Sequence, residues 1–401
     1  MPYDDYAAQR TASLLDHISK DKTIASTNKK AVNDFLNFMR AKGLKPATLH
    51  KNIYCLVSYL KILGKKDVLT VTKEDIESAL AVLDSSRYAS ATKRNVKITL
   101  KVFYKHFLGE DMYYPKQVAW IKASKTNDKK LMPHDILTED DVLKMLESAT
   151  NLRDKAIIAL LFDSGIRVGE LLNMIIADVD LTSNPAHIAV NGKTGIRQIP
   201  IMFSVPYMAQ YLNLIKKKAP SEYLWATIGT WTNKSNRIDH AGLSKMIKEM
   251  AAKAGIQKRV YPHLFRHSRA SYYANKLTEQ QLKAFFGWTG GSQMAATYVH
   301  LSGRDIDNAV LQANGAKIDN SVIEPKLKVK VYRRCQFSNP IESKYCNRCG
   351  APLDENLIIE VQNKETDIKR AIAEALKDPK AIEEIVHTYL MMQMTKEKKS
   401  K

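Results

Sequence analysis

Along residues 1–125 apolar positions recur three and four apart, the spacing that lays a single stripe along a helix. Val32, Phe35, Leu36 and Met39 make one such stripe and are expected to be core. The pattern predicts helices over Thr27–Ala41, Ala47–Leu63, Thr72–Leu83 and Ser90–Phe107. Gly43 and Gly64 stand where helices stop, and Thr72 with Asp75 forms an N-terminal capping pair. In the fourth predicted helix Val96, Leu100, Phe103 and Phe107 form the apolar stripe. Lys93, Lys97, Lys101 and Lys105 form an opposing basic stripe that drifts slowly around the helix.

From Trp120 to His134 the chain turns polar and lysine-rich, as a linker or a surface loop would. Thr138 with Asp141 is a second capping pair, and the pattern beyond it is mixed. LFDSGIRVGELLNMIIADVDL (Leu161–Leu181) reads as an apolar helix stopped at Gly165, with Arg167 opening a new amphipathic helix. NGKTGIRQIPI (Asn191–Ile201) reads as two strands with Lys193 in the Gly-flanked turn between them. YPHLFRHSRASYYANKLTEQQLKAFFGWTGGSQMAATYVH (Tyr261–His300) opens with Pro262, suited to a first helical position. His263 and Arg266 then share one helix face. A second helical run ends at Phe286, followed by Gly287, Trp288, a polar turn and a short helix carrying Tyr298. The expected fold class is mainly α with a small β-sheet: a helical domain followed by an α+β domain.

Charge changes the picture. The 401 residues carry 62 Lys and Arg against 42 Asp and Glu, a formal net charge of +20, which favours a polyanionic partner. Length predicts two or three domains, and 45 % hydrophobic residues suffice for proper cores. The sequence has no run of about 18 apolar residues, and its N-terminus, MPYDDYAAQR, is polar, so neither a membrane span nor a signal peptide is expected. Four cysteines, one of them isolated at Cys55, do not make a disulfide framework, which predicts a cytoplasmic location and a core role for Cys55. DNA is then the leading partner, and the Lys93, Lys97, Lys101 and Lys105 stripe is expected to track phosphates. A plain solvated face would carry the same pattern.

An Arg after a helix-ending Gly, a hairpin Lys, HxxR, a Gly-Trp pair and a following Tyr, in that order, resemble the catalytic boxes of the tyrosine recombinases, the phage-integrase family. The resemblance covers roughly Thr138–Gly315 and implies a catalytic set of Arg167, Lys193, His263, Arg266, Trp288 and Tyr298. It also implies a helical core-binding domain over 1–125, a linker over 126–137 and a catalytic domain over 138–315. The implied activity is cutting and rejoining of DNA through a covalent 3′-phosphotyrosine, with no metal or nucleotide required for catalysis. The implied partners are double-stranded DNA at specific sites and a homo-tetramer on two duplexes, with the helix at Asp305–Asn314 or the tail offered to a neighbouring subunit. A type IB topoisomerase shares this chemistry, and an inactive DNA-binding relative would share the fold. Single residues have plainer readings. Arg167 could pair with Glu170, Arg197 rivals Lys193, and Tyr272 and Tyr273 fit core or rim positions. His267, His300 and Arg269 are expected to be neighbours of the site.

Residues 330–354 carry Cys335 and the knuckle Cys346-x-x-Cys349-Gly350. A zinc ribbon would pair Cys335 with a cysteine at 338, where Ser338 stands. The segment is therefore expected to be a degenerate ribbon, either metal-free or holding zinc through Cys335, Cys346 and Cys349. The tail, residues 363–401, reads as two helical runs broken near Asp378-Pro379. An apolar stripe of Ile382, Ile385, Val386, Tyr389 and Leu390 on the second run suits packing on another surface.

Overall fold

The structure is a computed structural model and describes residues 3–109, 113–123, 132–192, 195–226, 237–274, 276–302, 314, 327, 329–375, 377, 383 and 386–387. They fall into two compact units, one drawn from 1–136, 169–173 and 223–240, the other from 137–168, 174–222 and 241–401. Among the described residues no helix is long and apolar enough to cross a membrane.

The first unit is helical, as the apolar spacing predicts. Its helices are α1 (Tyr3–Lys20), α2 (Ser26–Ala41), α3 (Pro46–Leu63), α4 (Lys73–Ser85), α5 (Ser90–Leu108) and the single turn α6 (Lys116–Ala119). Gly43 and Gly64 adopt φ of +69° and +71°, and Thr72 and Asp75 cap α4 reciprocally. The core is the merged inner stripes of α2, α3 and α5, including Phe35, Ile53, Leu56, Leu60, Val96, Leu100 and Phe103. Each such side chain contributes about 1.5–3 kcal/mol on burial. Cys55 lies in this core. Two buried phenols are satisfied internally: Tyr59 and Tyr104 pair their hydroxyls at 3.3 Å, and Tyr104 donates to the Val68 carbonyl at 2.9 Å. Helix α1 was not foreseen in the sequence, because its buried positions, Ala7, Thr11 and Ile18, are small, polar or far apart.

The second unit is built around α8 (Leu152–Ser164), buried along almost its whole length, its middle (residues 156–162) being apolar on every side. Packed on it are α7 (Glu139–Ser148), α10 (Val205–Leu214) and α12 (Pro262–Ala274). Thr138 and Asp141 form the expected box on α7. A three-stranded antiparallel sheet, β1 (Val179–Asp180), β2 (Ala186–Gly192) and β3 (Gly195–Ile201), sets β3 against α8. Strands β2 and β3 form the predicted hairpin, closing at the Gly192–Gly195 pair. Helices α11 (His240–Lys253), α13 (Glu279–Phe286) and α14 (Met294–Ser302) complete the order, while α9 (Val168–Asn173) falls, but for Val168, in the first unit.

Beyond them β4 (Lys330–Val331) pairs with β5 (Ser338–Asn339) and precedes α15 (Glu355–Ala375). Helix α15 begins eight residues ahead of position 363, because Asp354 accepts the Asn356 N–H at 3.0 Å and starts the helix there. Of the tail stripe, only Val386 lies among the described residues, and it is exposed. Of Asp305–Asn314, only Asn314 does.

Candidate active site

Two glycines make the site. Gly165 ends α8 at φ +56°, and a Cβ there would lie 2.7 Å from the Phe286 ring, so only glycine lets the end of α8 meet the end of α13. Gly287 ends α13 at φ +58°. The carbonyls at these two ends hold two arginines. Arg266, reaching in from α12 and only 3 % exposed, donates to Gly165 O at 2.9 Å and Phe286 O at 2.6 Å. Arg167 donates to Gly287 O at 2.7 Å. The guanidinium of Arg266 also lies 5.0 Å from the Phe286 ring centre and 5.7 Å from that of Trp288.

Trp288, straight after the turn, stacks between Phe286 (5.0 Å between ring centres) and Tyr298 (5.6 Å, rings parallel within 1°). Tyr298 is 3 % exposed. Its hydroxyl meets Nδ1 of His267, which is one turn along α12 from His263, the two imidazoles packing edge to face at 4.8 Å. Burial pushes the Tyr298 phenol up to about 12, against the downward pull of Arg266. His267 is brought down to about 4 by burial, then by His263 and Arg266. His263 remains exposed, and its partial desolvation, then the charges of Arg266 and Arg167, hold it below its ordinary value. Both rings are thus neutral near pH 7 and able to accept a proton.

Four of the six expected catalytic residues, Arg167, Arg266, Trp288 and Tyr298, therefore gather around one turn, and His263 packs beside them against His267. The sixth, Lys193, lies outside the described residues. Its rival Arg197, on β3, donates to the Phe285 carbonyl at 3.3 Å, with its guanidinium 2.7 Å from where a Cβ on Gly287 would stand. Tyr273 is half-buried and packs against the cluster that includes Tyr298, within its core-or-rim reading. Sequence reasoning placed His267 beside the site but not on the Tyr298 hydroxyl. Its one signal was the i,i+4 spacing from His263. Arg269 braces the site from behind, bonded to the Asp163 carbonyl at 2.9 Å and carboxylate at 3.1 Å.

The predicted DNA-contacting lysines on α5 are half-buried. Lys97 pairs with Asp84 at 2.7 Å, Lys93 donates to the Asp84 carbonyl, and Lys101 and Lys105 lie 4.4 and 5.4 Å from the Tyr114 ring centre.

A helical domain followed by an α+β domain with paired arginines, a histidine and a buried tyrosine on one turn defines the integrase class of fold. Residues 135–304 match the model for the phage integrase family, and residues 32–113 match that for the phage integrase N-terminal SAM-like domain. The tyrosine recombinase XerD of Oceanobacillus iheyensis is 27 % identical over 257 residues, covering 60 % of this chain and 84 % of the relative. The tyrosine recombinase XerA of Pyrococcus horikoshii is 29 % identical over 250 residues, covering 61 % and 80 %. Among solved structures, a lambda integrase tetramer bound to a Holliday junction is similar in fold, with a TM-score of 0.54 and 19 % identity over 73 % of this chain and 82 % of that one. The chain belongs to the phage integrase family, the tyrosine recombinases.

Proposed function

We propose that this protein is a site-specific recombinase that cuts and rejoins double-stranded DNA through a covalent 3′-phosphotyrosine at Tyr298. The observation that carries this reading is the convergence of Arg167, Arg266, Trp288 and Tyr298 on the turn from Phe286 to Trp288. A guanidinium has five N–H donors in a planar fork, so a residue anchored on a carbonyl can also grip a phosphate oxygen. Arg167 and Arg266 bind the non-bridging oxygens of the scissile phosphate as charge builds in the pentavalent transition state. Losing one such donor costs about 2.7–4 kcal/mol of barrier.

In the forward step the Tyr298 oxygen bonds to phosphorus and the bond from phosphorus to the 5′-oxygen breaks. The phenolic proton leaves to a neutral imidazole, His263 or His267, and Lys193 supplies a proton to the departing 5′-oxygen. Trp288 packs the nucleophile and offers its indole N–H. A second 5′-hydroxyl reverses the step, so the bond energy is kept and neither metal nor nucleotide takes part. Residues 1–125 form the core-binding domain, 126–137 the linker and 138–315 the catalytic domain, with Lys93, Lys97, Lys101 and Lys105 on the phosphate backbone. The working unit is a homo-tetramer on two duplexes in the cytoplasm, in line with the Holliday-junction tetramer of the lambda integrase neighbour.

A nicked suicide substrate carrying the recombination site tests this. Wild-type protein should form an SDS-resistant adduct, and Tyr298→Phe should bind the same DNA without forming one. An adduct that survives in Tyr298→Phe removes this tyrosine from the mechanism. Plasmid relaxation without paired sites would assign the chemistry to a topoisomerase.

A further inference from the structure

The segment after the catalytic helices holds two turns built alike. In the first, the Tyr332 N–H donates to Phe337 O (3.1 Å) and the Gln336 N–H returns to Tyr332 O (2.8 Å). In the second, the Cys346 N–H donates to Ala351 O (2.7 Å) and the Gly350 N–H returns to Cys346 O (2.8 Å). Gln336 has φ +54° and Gly350 +72°, and Gln336 is the only non-glycine with positive φ among the described residues. A left-handed glutamine is kept only where the surroundings demand that backbone path. Matched bond for bond, Tyr332 corresponds to Cys346, Cys335 to Cys349, and Gln336 to Gly350. Cys335 is thus the second ligand position of the first turn. The position lacking a cysteine is Tyr332, and not Ser338, which the linear spacing suggested and which lies in β5.

The two turns face each other. The Cys335 sulfur lies 3.5 Å from that of Cys346 and 3.7 Å from that of Cys349, and all three fall within 4.8 Å of one another. Zinc–thiolate bonds of about 2.3 Å in a tetrahedron place sulfurs about 3.8 Å apart. Asn339, fully buried, locks the pair of turns. Its Nδ2 lies 3.6 Å from the Cys346 sulfur and donates to Phe337 O at 3.0 Å, while its Oδ1 accepts the Asn347 N–H at 2.8 Å. Backbone N–H groups of Arg348 and Cys349 also point at the Cys346 sulfur, and that of Phe337 at Cys335. Such donors orient and stabilise metal-bound thiolates. The loop between the turns is fixed to the catalytic unit by Glu342, which accepts from Lys155 on α8 (3.0 Å) and from the Tyr207 hydroxyl on α10 (2.6 Å).

We infer that Cys335, Cys346 and Cys349 bind one Zn²⁺ as a three-thiolate site whose fourth corner, on the Tyr332 side, is left to a solvent or exogenous ligand. The inference is independent of the catalytic reading. A disulfide would use two of these sulfurs and strand the third, whereas a metal uses all three.

Co²⁺ titration of the full, reduced chain tests it, since thiolate-bound tetrahedral Co²⁺ has a distinctive d–d spectrum. Wild type should saturate at one equivalent, and Zn²⁺ should displace the Co²⁺. Cys349→Ser, at an exposed position, should lose the spectrum. Tyr332→Cys should complete the tetrahedron and tighten binding by about tenfold or more, and Ser338→Cys should not. Absence of tetrahedral Co²⁺ from reduced wild type overturns the site. Tightening by Ser338→Cys in place of Tyr332→Cys overturns the position of its open corner. Retention of the spectrum in Cys349→Ser removes that cysteine from the ligand set.

Discussion

The Tyr298 hydroxyl is held by Nδ1 of His267, a bond between α14 and α12 that ties the proposed nucleophile to the helix carrying the HxxR residues. A neutral imidazole with its proton on Nε2 accepts this bond, and an imidazolium cannot. His267 sits at about 4 in the folded chain against an ordinary 6.5, with burial as the main cause. The depressed value means the unfolded state takes up the proton first. The stabilisation is therefore fully present above pH 6.5 and is lost as pH falls towards 4. Melting temperatures of wild type and His267→Phe should converge over that window and run parallel above it. A constant difference across it would show that the hydroxyl does not depend on a neutral His267.

What could be read directly from the sequence was what local chemistry dictates. Gly165, Gly287, the Thr72 and Thr138 caps, the Gly192–Gly195 hairpin and Pro262 each carry their signal within a few residues, and each is where that signal places it. Contacts across elements were not legible. His267 reaches Tyr298 only because α12 and α14 pack at one particular angle, and Arg197 covers Gly287 only because the hairpin leans on the α13 turn. The Cys335 turn shows the limit most plainly. Linear spacing pointed downstream to Ser338, whereas backbone hydrogen bonds point upstream to Tyr332.

Gly287→Ala should damage the site by two routes. An alanine at φ +58° costs about 1–2 kcal/mol, and its Cβ would stand 2.7 Å from the Arg197 guanidinium. The guanidinium is the flexible partner, so Arg197 should leave the Phe285 carbonyl and the turn should stay. The expected result is a fall in melting temperature of roughly 2–8 °C with slower adduct formation. Gly290→Ala is the control, since a Cβ there meets nothing within 4 Å. Equal effects of the two substitutions would refute the steric account.

The two arginines should separate by stability and not by activity. Arg266 is buried and satisfies two carbonyls, so in Arg266→Lys a single ammonium cannot serve both Gly165 and Phe286. The orphaned carbonyl should cost about 1–3 kcal/mol in urea unfolding. Arg167 is half-buried and serves Gly287, so Arg167→Lys should cost less than about 1 kcal/mol. Both variants should nonetheless slow adduct formation about a hundredfold or more, because neither ammonium reproduces the planar fork on phosphate. A fully active Arg167→Lys would place that residue outside the chemistry.

Asp163, 3 % exposed, is the brace on which α12 rests. One carboxylate oxygen accepts three bonds, from the N–H groups of Met202 (2.8 Å) and Ser204 (2.9 Å) and the Ser204 hydroxyl (2.9 Å). The other accepts from Arg269 at 3.1 Å, one turn along α12 from Arg266. In Asp163→Asn one side must turn an NH₂ towards existing donors, whichever way the amide sits. With the oxygen kept for Met202 and Ser204, Arg269 is left buried against a donor, and breaking such a pair costs about 3–5 kcal/mol. Arg269→Met removes that conflict while keeping apolar contact with Tyr272 and Tyr273. The double variant should therefore be less destabilised than the two single losses together, by about 1–3 kcal/mol in a urea double-mutant cycle. Strict additivity would mean that the Asp163–Arg269 ion pair does not couple α8 to α12.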